Sequence, residues 1–426
     1  MQKITAFLKK VTANRELRNK LLFTAAIIFV FRLFAHIPLP TVDLVQLRAL
    51  FASNQFLSLL NLFSGGTLSN FSILAVGINP YITASIIMQL SGMILPKIKE
   101  MQKDGEAGRE KLNQYTRYLS LPLAVGQSVS VLALLRASGL VSESSPLMLI
   151  TMILSLVAGA MIVTWLGELI TQKGIGNGIS MVLFAGIVSQ LPLSFIDIAN
   201  SSSDRAFVFV SFLALFLLII ALIVFMNEAV RKVLIQYAKR TKGTKSFAAQ
   251  TSHLPIKVNV AGVMPIIFAV SIMLAPAFIA RLLILSGRAS LIELGNTITV
   301  LFTQTSLLYI SLYFIIVFFF TFFSALIFFN AGDISDELKK SGAFIPGIRP
   351  GGATKKYLEF VVTRITLAGA LFLGVIAITP SLAQIFLGVS QLAISGTSIL
   401  IVVSVILETY KQVESMLVEQ NYDKFL

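Results

Sequence analysis

Cysteine is absent from all 426 residues, so disulfides, thiolate nucleophiles and cysteine-bound metals are excluded. Histidine is nearly absent. His36 and His253 lie far apart in sequence, which argues against a histidine-built metal or catalytic centre. Charge is scarce as well, at 13%, where a soluble domain carries about 25%. No Asp or Glu falls in the middle of an apolar run; Glu168 sits just beyond the end of one, and Arg32 and Arg281 lie towards the far ends of theirs, within snorkelling reach of the surface. Proton- or ion-coupled transport needs ionisable groups at membrane depth, and none is visible. Walker, HExxH and GxSxG patterns are missing too, so the chain does not read as an enzyme and needs no cofactor.

What is abundant is apolar sequence. Hydrophobic residues make up 56% of the chain, and its mean hydropathy is +0.86. Ten runs have the length or near-length of a bilayer crossing, for which about 20 residues are needed. They are Leu21–Leu39, Pro80–Leu95, Leu119–Leu135, Leu147–Leu166, Gly176–Leu193, Phe207–Met226, Val260–Ile284, Leu307–Phe329, Ile365–Leu387 and Ile394–Leu407. An even number puts both termini on one side. With the N-terminus inside, 28 of the 34 Lys and Arg fall on inside segments and 4 on outside loops. Positive residues collect on the cytoplasmic side, so this asymmetry orients the chain.

The domain reading follows. Residues 1–20 form a basic amphipathic segment with Ile4, Phe7, Leu8 and Val11 on one stripe. Residues 21–193 hold five spans, 194–206 form an external hinge, 207–407 hold five more, and 408–426 form a tail. Two long inside loops, 227–259 and 330–364, mix apolar and basic residues and are expected to fold as hairpins or short helices. Halves of five spans enter the membrane from opposite sides and so suit inverted repeats, although no internal sequence similarity is evident.

One stretch stands apart, NLFSGGTLSNFSILAVGINPYITASIIMQLSGMIL from Asn61 to Leu95. Leu68–Val76 is too short to span and reads as a half-helix. Gly77 suits positive φ after a helix end, Asn79 suits an N-cap and Pro80 the first helical position. Backbone interrupted at membrane depth must be buried in protein or line a cavity, which points to pore architecture. An ordinary kinked span behind a surface loop remains the alternative.

Several stretches resemble the SecY family, the channel subunits of bacterial protein-export translocases. They are NLFSGG, GINPYITASIIMQL, GEAGREKLNQYTRY, GIGNGIS with FAGIV, YAKRTKG, SHLPIKVN with AGVMP, KKSGAFIPGIRPG and GTSILIVV. They occur in order from about Arg18 to past the tenth run. The resemblance implies an all-α membrane protein, a clamshell of two five-helix halves with a pore between them. An apolar ring would close the waist, formed by Ile82, Ile86, Leu183, Ile187, Ile267 and Ile401. Leu183 stands where relatives commonly carry isoleucine. A plug, residues 65–76, would lie beneath it: Gly65, Gly66, Thr67, Leu68, Ser69, Asn70, Phe71, Ser72 and Ile73 onward. Its small polar residues suit a loosely held element, with Phe71 and Ile73 as the bulky groups.

The spacing fits such a ring. Ile82/Ile86 and Leu183/Ile187 are each four apart, on one helix face. Ile86, Leu183, Ile267 and Ile401 each fall seven residues into a segment, about 10 Å deep. Gln89 reads as lateral-gate lining or as an interhelical hydrogen bond. By resemblance, Arg349, Lys239 and Arg240 on the inside loops contact a SecA motor or ribosomal RNA phosphates, although topology and anionic lipids alone also favour basic loops. The same resemblance implies SecE-like and SecG-like small subunits, signal peptides and unfolded polypeptides as partners, and a bacterial plasma membrane. A small-solute transporter or a non-channel insertase would need midplane polar or charged groups that are not seen.

Overall fold

The computed structural model describes residues 14–40, 42, 44–47, 61, 64–137, 139–140, 145–200, 205–237, 241–242, 245–246, 251–260, 262, 264–285, 288–387 and 391–423. The amphipathic stripe at Ile4–Val11, Lys239 and Arg240 lie outside these residues, as does the side chain of Arg281.

Helix α1, Arg15–Ala35, begins at Asn14, whose side chain accepts from the N–H groups of Glu16 and Leu17 at 3.1 and 3.2 Å. Helix α2, Asn79–Ile94, follows the turn-rich segment and bends by 106° into short α3, Pro96–Lys103, at a break before Pro96. Helices α4, Gly105–Ala137, α5, Pro146–Lys173, and α6, Gly178–Asn200, complete the first half. The second half opens with α7, Arg205–Glu228. Strands β1, Val230–Tyr237, β2, Thr241–Lys242, β3, Lys245–Ser246, and β4, Thr251–Lys257, come next. Then follow α8, Met264–Leu285, α9, Ala289–Leu301, and α10, Leu307–Phe328. Helix α11, Ala331–Lys340, strand β5, Ala343–Phe344, α12, Gly352–Leu387, and α13, Gln391–Asp423, end the chain.

Each of the ten apolar runs lies on its own long helix: α1, α2, α4, α5, α6, α7, α8, α10, α12 and α13. Pro146–Lys173, Leu307–Lys340 and Gly352–Ile385 are long and apolar enough to cross a bilayer unaided. Helix α2 has only 16 residues, because the segment before it has already carried the chain into the bundle. Exposed Phe29, Leu154, Phe225 and Phe319 form an outward apolar surface, as lipid contact requires. The architecture is an all-α membrane bundle in two five-helix halves. The halves meet along two seams. Helix α6 packs on α7 and α13 along one, and α2 and α4 pack on α8 along the other.

The loops at the basic end fold together. Strand β1 pairs antiparallel with β4, from Val230↔Lys257 to Gln236↔Thr251, and with β5 at Gln236↔Phe344 and Tyr237↔Ala343. Val233 and Ile235 point inward at period two and pack with Ile256, Leu338, Leu358 and Val362. Hairpins or short helices are what the sequence predicts for both loops. Their union in one sheet is not.

Candidate pore waist and plug segment

Four helices bring the six aliphatic side chains together: α2 with Ile82 and Ile86, α6 with Leu183 and Ile187, α8 with Ile267 and α13 with Ile401. All are buried, from 0% exposed at Ile401 to 6% at Ile86. They belong to one contiguous apolar cluster that draws on both halves. Leu74 and Ile78, from the segment before α2, join the same cluster. The six are thus buried, aliphatic members of the bundle's main apolar cluster.

The plug segment departs from the expected half-helix. Among the described residues of 64–78, none is helical; the backbone winds through consecutive turns. Gly65, Gly66 and Gly77 take φ of +76°, +80° and +64°, and Phe71 takes +40°. Positive φ at four places in so short a run rules out a helix. Side chains hold the turns instead. The Thr67 hydroxyl lies 2.7 Å from the Leu74 carbonyl and 2.8 Å from that of Ser64, and Ser72 Oγ lies 3.2 Å from the Thr67 carbonyl. Ser64 Oγ accepts from Leu68 N–H at 3.1 Å, and Asn61 Oδ1 from Ser69 N–H at 2.8 Å. Short hydroxyl and amide side chains compete with helical hydrogen bonding in just this way.

Nor is the segment loosely held. Leu39 N–H donates to the Phe71 carbonyl at 2.9 Å, and Ile73 N–H to the Ile37 carbonyl at 3.1 Å. Leu68, Phe71, Ala75 and Val76 pack in a second apolar cluster with Leu132 and Leu135 of α4 and Leu156 and Ala160 of α5. The buried groups include Thr67, Phe71, Ser72 and Leu74. Two helix glycines admit this backbone. A Cβ on Gly186 would collide with Gly65, and one on Gly159 would collide with the Ile73 carbonyl. The cap of α2 is also shifted by one residue. Ile78 is the N-cap, without a side-chain hydrogen bond; Asn79 is the first helical residue, and Pro80 is the second and not the first.

Among the ionisable groups, Arg32 is placed differently from expectation. It does not reach for the surface. It donates to the carbonyls of Ala185 and, at 3.2 Å, Gly186, between Leu183 and Ile187 of α6. A half-buried guanidinium is tolerated there because carbonyls accept from it. Glu168, just past the fourth apolar run as expected, lies on the last turns of α5. Its carboxylate pairs with Arg117 of α4, with Nε–Oε1 at 3.3 Å and a second, shorter contact, and its side chain is 13% exposed. Gln89 Nε2 donates to Ser85 Oγ at 3.3 Å, one turn back on its own helix, so that bond is not interhelical. Arg349 is exposed in the turn before α12, with no ion-pair partner among the described residues. Thr354 Oγ1 and Ser335 Oγ brace that turn by donating to the carbonyls of Arg349 and Gly351 at 2.9 and 2.8 Å.

Sequence comparison places the chain in a family. The SecY family model matches residues 72–410. A protein translocase subunit SecY of Mycobacterium bovis is 42% identical over 434 residues, covering 96% of this chain and 97% of the relative. One from Streptomyces galbus is 42% identical over 441 residues, covering 99% and 100%. Among solved structures, a protein-conducting channel superposes with a TM-score of 0.63 at 17% identity, covering 93% of this chain and 92% of that one. Sec61 in a canine ribosome–channel complex gives 0.58 at 16% identity, with 93% and 92% covered.

Proposed function

This chain belongs to the SecY family, and on that basis we propose how it works as the protein-conducting channel of a translocase. Unfolded polypeptides cross between its two halves, and apolar segments leave sideways into the lipid. The observation that carries this reading is the waist: six aliphatic side chains from four helices of both halves, closed in one cluster with the plug segment packed on it. A narrow aliphatic constriction sheds water and so blocks ions when idle. It offers only non-directional contact, which suits cargo of any sequence. The seam of α2 and α4 against α8 is the lateral exit, and half-buried Gln89 belongs to its lining.

The basic end faces the cytoplasm with both termini, in a bacterial plasma membrane. The charge asymmetry and the bacterial relatives support this. There Arg349, Lys239 and Arg240 meet the driving partner, a SecA motor or a ribosome. The exposure of Arg349 on a braced turn supports the first, and the ribosome-bound Sec61 relative supports the second. Relatives described as translocase subunits imply companions, and SecE-like and SecG-like small proteins fill that place.

Because cysteine is absent, one engineered thiol reports without background. A signal-bearing polypeptide with a single cysteine, stalled in transit, should form a disulfide with Ile86→Cys or Ile401→Cys, and not with a lipid-facing control at Phe319. Export that proceeds with no crosslink at either waist position would defeat the assignment.

A further inference from the structure

A cavity of about 310 Å³ with several polar side chains in its lining lies towards the basic ends of α6, α8 and α13. Ser180, Met264 and Ser404 line it. Each lies three residues from a waist position on its own helix, respectively Leu183, Ile267 and Ile401, and each in the direction of the basic end. Three residues keep a side chain on nearly the same helix face and move it about 4–5 Å along the axis. The cavity is therefore the chamber immediately before the constriction.

Two carboxamides run along its wall. Asn227 donates through Nδ2 to Ser404 Oγ at 3.1 Å. Asn259 donates through Nδ2 to Asn227 Oδ1 at 2.9 Å and to the Gly262 carbonyl at 3.1 Å. Both Nδ2 protons of Asn259 are thus used. Its Oδ1 is buried and has no hydrogen-bond partner among the described residues, and the residue is only 7% exposed. A buried acceptor left unpaired is costly and uncommon. Aligned hydrogen bonds polarise one another, which makes the oxygen at the end of this chain a stronger acceptor. The charged groups nearby are of both signs. Lys411 Nζ lies 2.9 Å from the Glu228 carboxylate and 3.1 Å from the Asn227 carbonyl, and Glu408 lines the cavity together with Lys257. The chamber suits a neutral donor better than an anion.

We propose that Asn259 Oδ1 accepts a main-chain N–H from the polypeptide in transit, making the chamber a site that holds backbone just ahead of the apolar waist. The inference rests on the channel reading above and adds a ligand group to it. Every residue except proline carries that N–H, so the contact ignores side-chain identity, as cargo of any sequence demands.

The test uses the complete translocase in vesicles and two stalled polypeptides, alike except for a short run of backbone esters in place of amides in one. An ester keeps the shape and removes the N–H. With the parent residue at 259, the ester run should be captured severalfold less by Ser404→Cys than the amide run, while Ile401→Cys captures both chains. In Asn259→Ala the amide and ester runs should be captured alike. Equal capture in the parent overturns the proposal without recourse to any variant at 259, and leaves Asn259 as a wall amide or a water site. An ester effect that persists undiminished in Asn259→Ala also overturns it. If Ile401→Cys captures neither chain, the channel reading itself has failed and the inference falls with it.

Discussion

Gly65 and Gly186 touch backbone to backbone: a Cβ added to Gly65 would stand 3.3 Å from Gly186 Cα and 3.2 Å from Phe31 Cζ. The contact lies one residue from Ile187 and beside the carbonyls that Arg32 binds. The start of the 64–78 segment is therefore seated on α6 beside Ile187, and only hydrogen side chains permit that approach.

Substituting Gly186→Val should unseat the segment. Overpacking a close contact costs about 1–3 kcal/mol, comparable with the gap of a few kcal/mol between two conformations of one protein. Planar-bilayer recordings should show frequent ion-conducting openings in the variant and a quiet parent. A variant as tight as the parent would show that Gly65 yields without cost.

The waist itself is tested by the double change Ile86→Asn and Ile401→Asn. Two amides give water hydrogen-bonding partners inside a constriction that closes by dewetting. Lost apolar packing adds about 1.5–3 kcal/mol per side chain at most. The resting channel should leak ions and accept weaker signal segments. Deleting residues 65–70 should have a milder effect because the six aliphatics remain. Conductance and an export assay with graded signal hydrophobicity would read both outcomes.

Arg349→Glu reverses an exposed charge on a turn whose carbonyls stay braced by Thr354 and Ser335. Folding and membrane insertion should be unchanged, while motor-driven export by purified vesicles falls severalfold. Export at the parent rate would remove Arg349 from the partner interface.

The Arg117–Glu168 pair is half in solvent on one side only: the arginine side chain is 45% exposed and the glutamate 13%. Removing Arg117 strands a largely buried carboxylate, whereas Glu168→Gln leaves a charge that water reaches. Arg117→Gln should therefore lower the unfolding midpoint in detergent more than Glu168→Gln does, by the equivalent of roughly 1–3 kcal/mol once screening is allowed for. Equal losses would mean that the pair behaves as an ordinary surface bridge.

Orientation is open to direct labelling. A reporter within 194–206 should be accessible from outside the cell, and one within 241–252 from the cytoplasm. The reverse at either place would overturn the basic-end assignment.

The bundle was legible because long apolar runs have few alternatives in a bilayer, and each of the ten appears on its own helix. The i, i+4 spacing of Ile82/Ile86 and Leu183/Ile187 correctly put each pair on a buried face. Gly77 takes the positive φ expected of it. The turns of 64–78 were not legible, because helix propensity cannot weigh hydroxyls that bond across several residues, as Thr67 does to Leu74. The depth of Arg32 was hidden for a different reason. Its carbonyl partners lie on α6, over 150 residues away in sequence, and an arginine near the end of an apolar run looks like one that snorkels. Asn259 gave no signal alone; it becomes noticeable only when Asn227 and Ser404 are brought beside it.

The three-stranded sheet has a mechanical consequence. Its strands come from the α7–α8 and α10–α12 connections, so it is rooted wholly in the second half of the molecule. The sheet also shares an apolar cluster with α12 through Leu358 and Val362, and β4 leads by a short link into α8, the helix that closes the α2 and α4 seam. Anything that grasps these loops holds a handle fixed to one shell alone. A push or twist applied there would be resisted by the other half across the seam, and so would load the contact of α2 and α4 with α8.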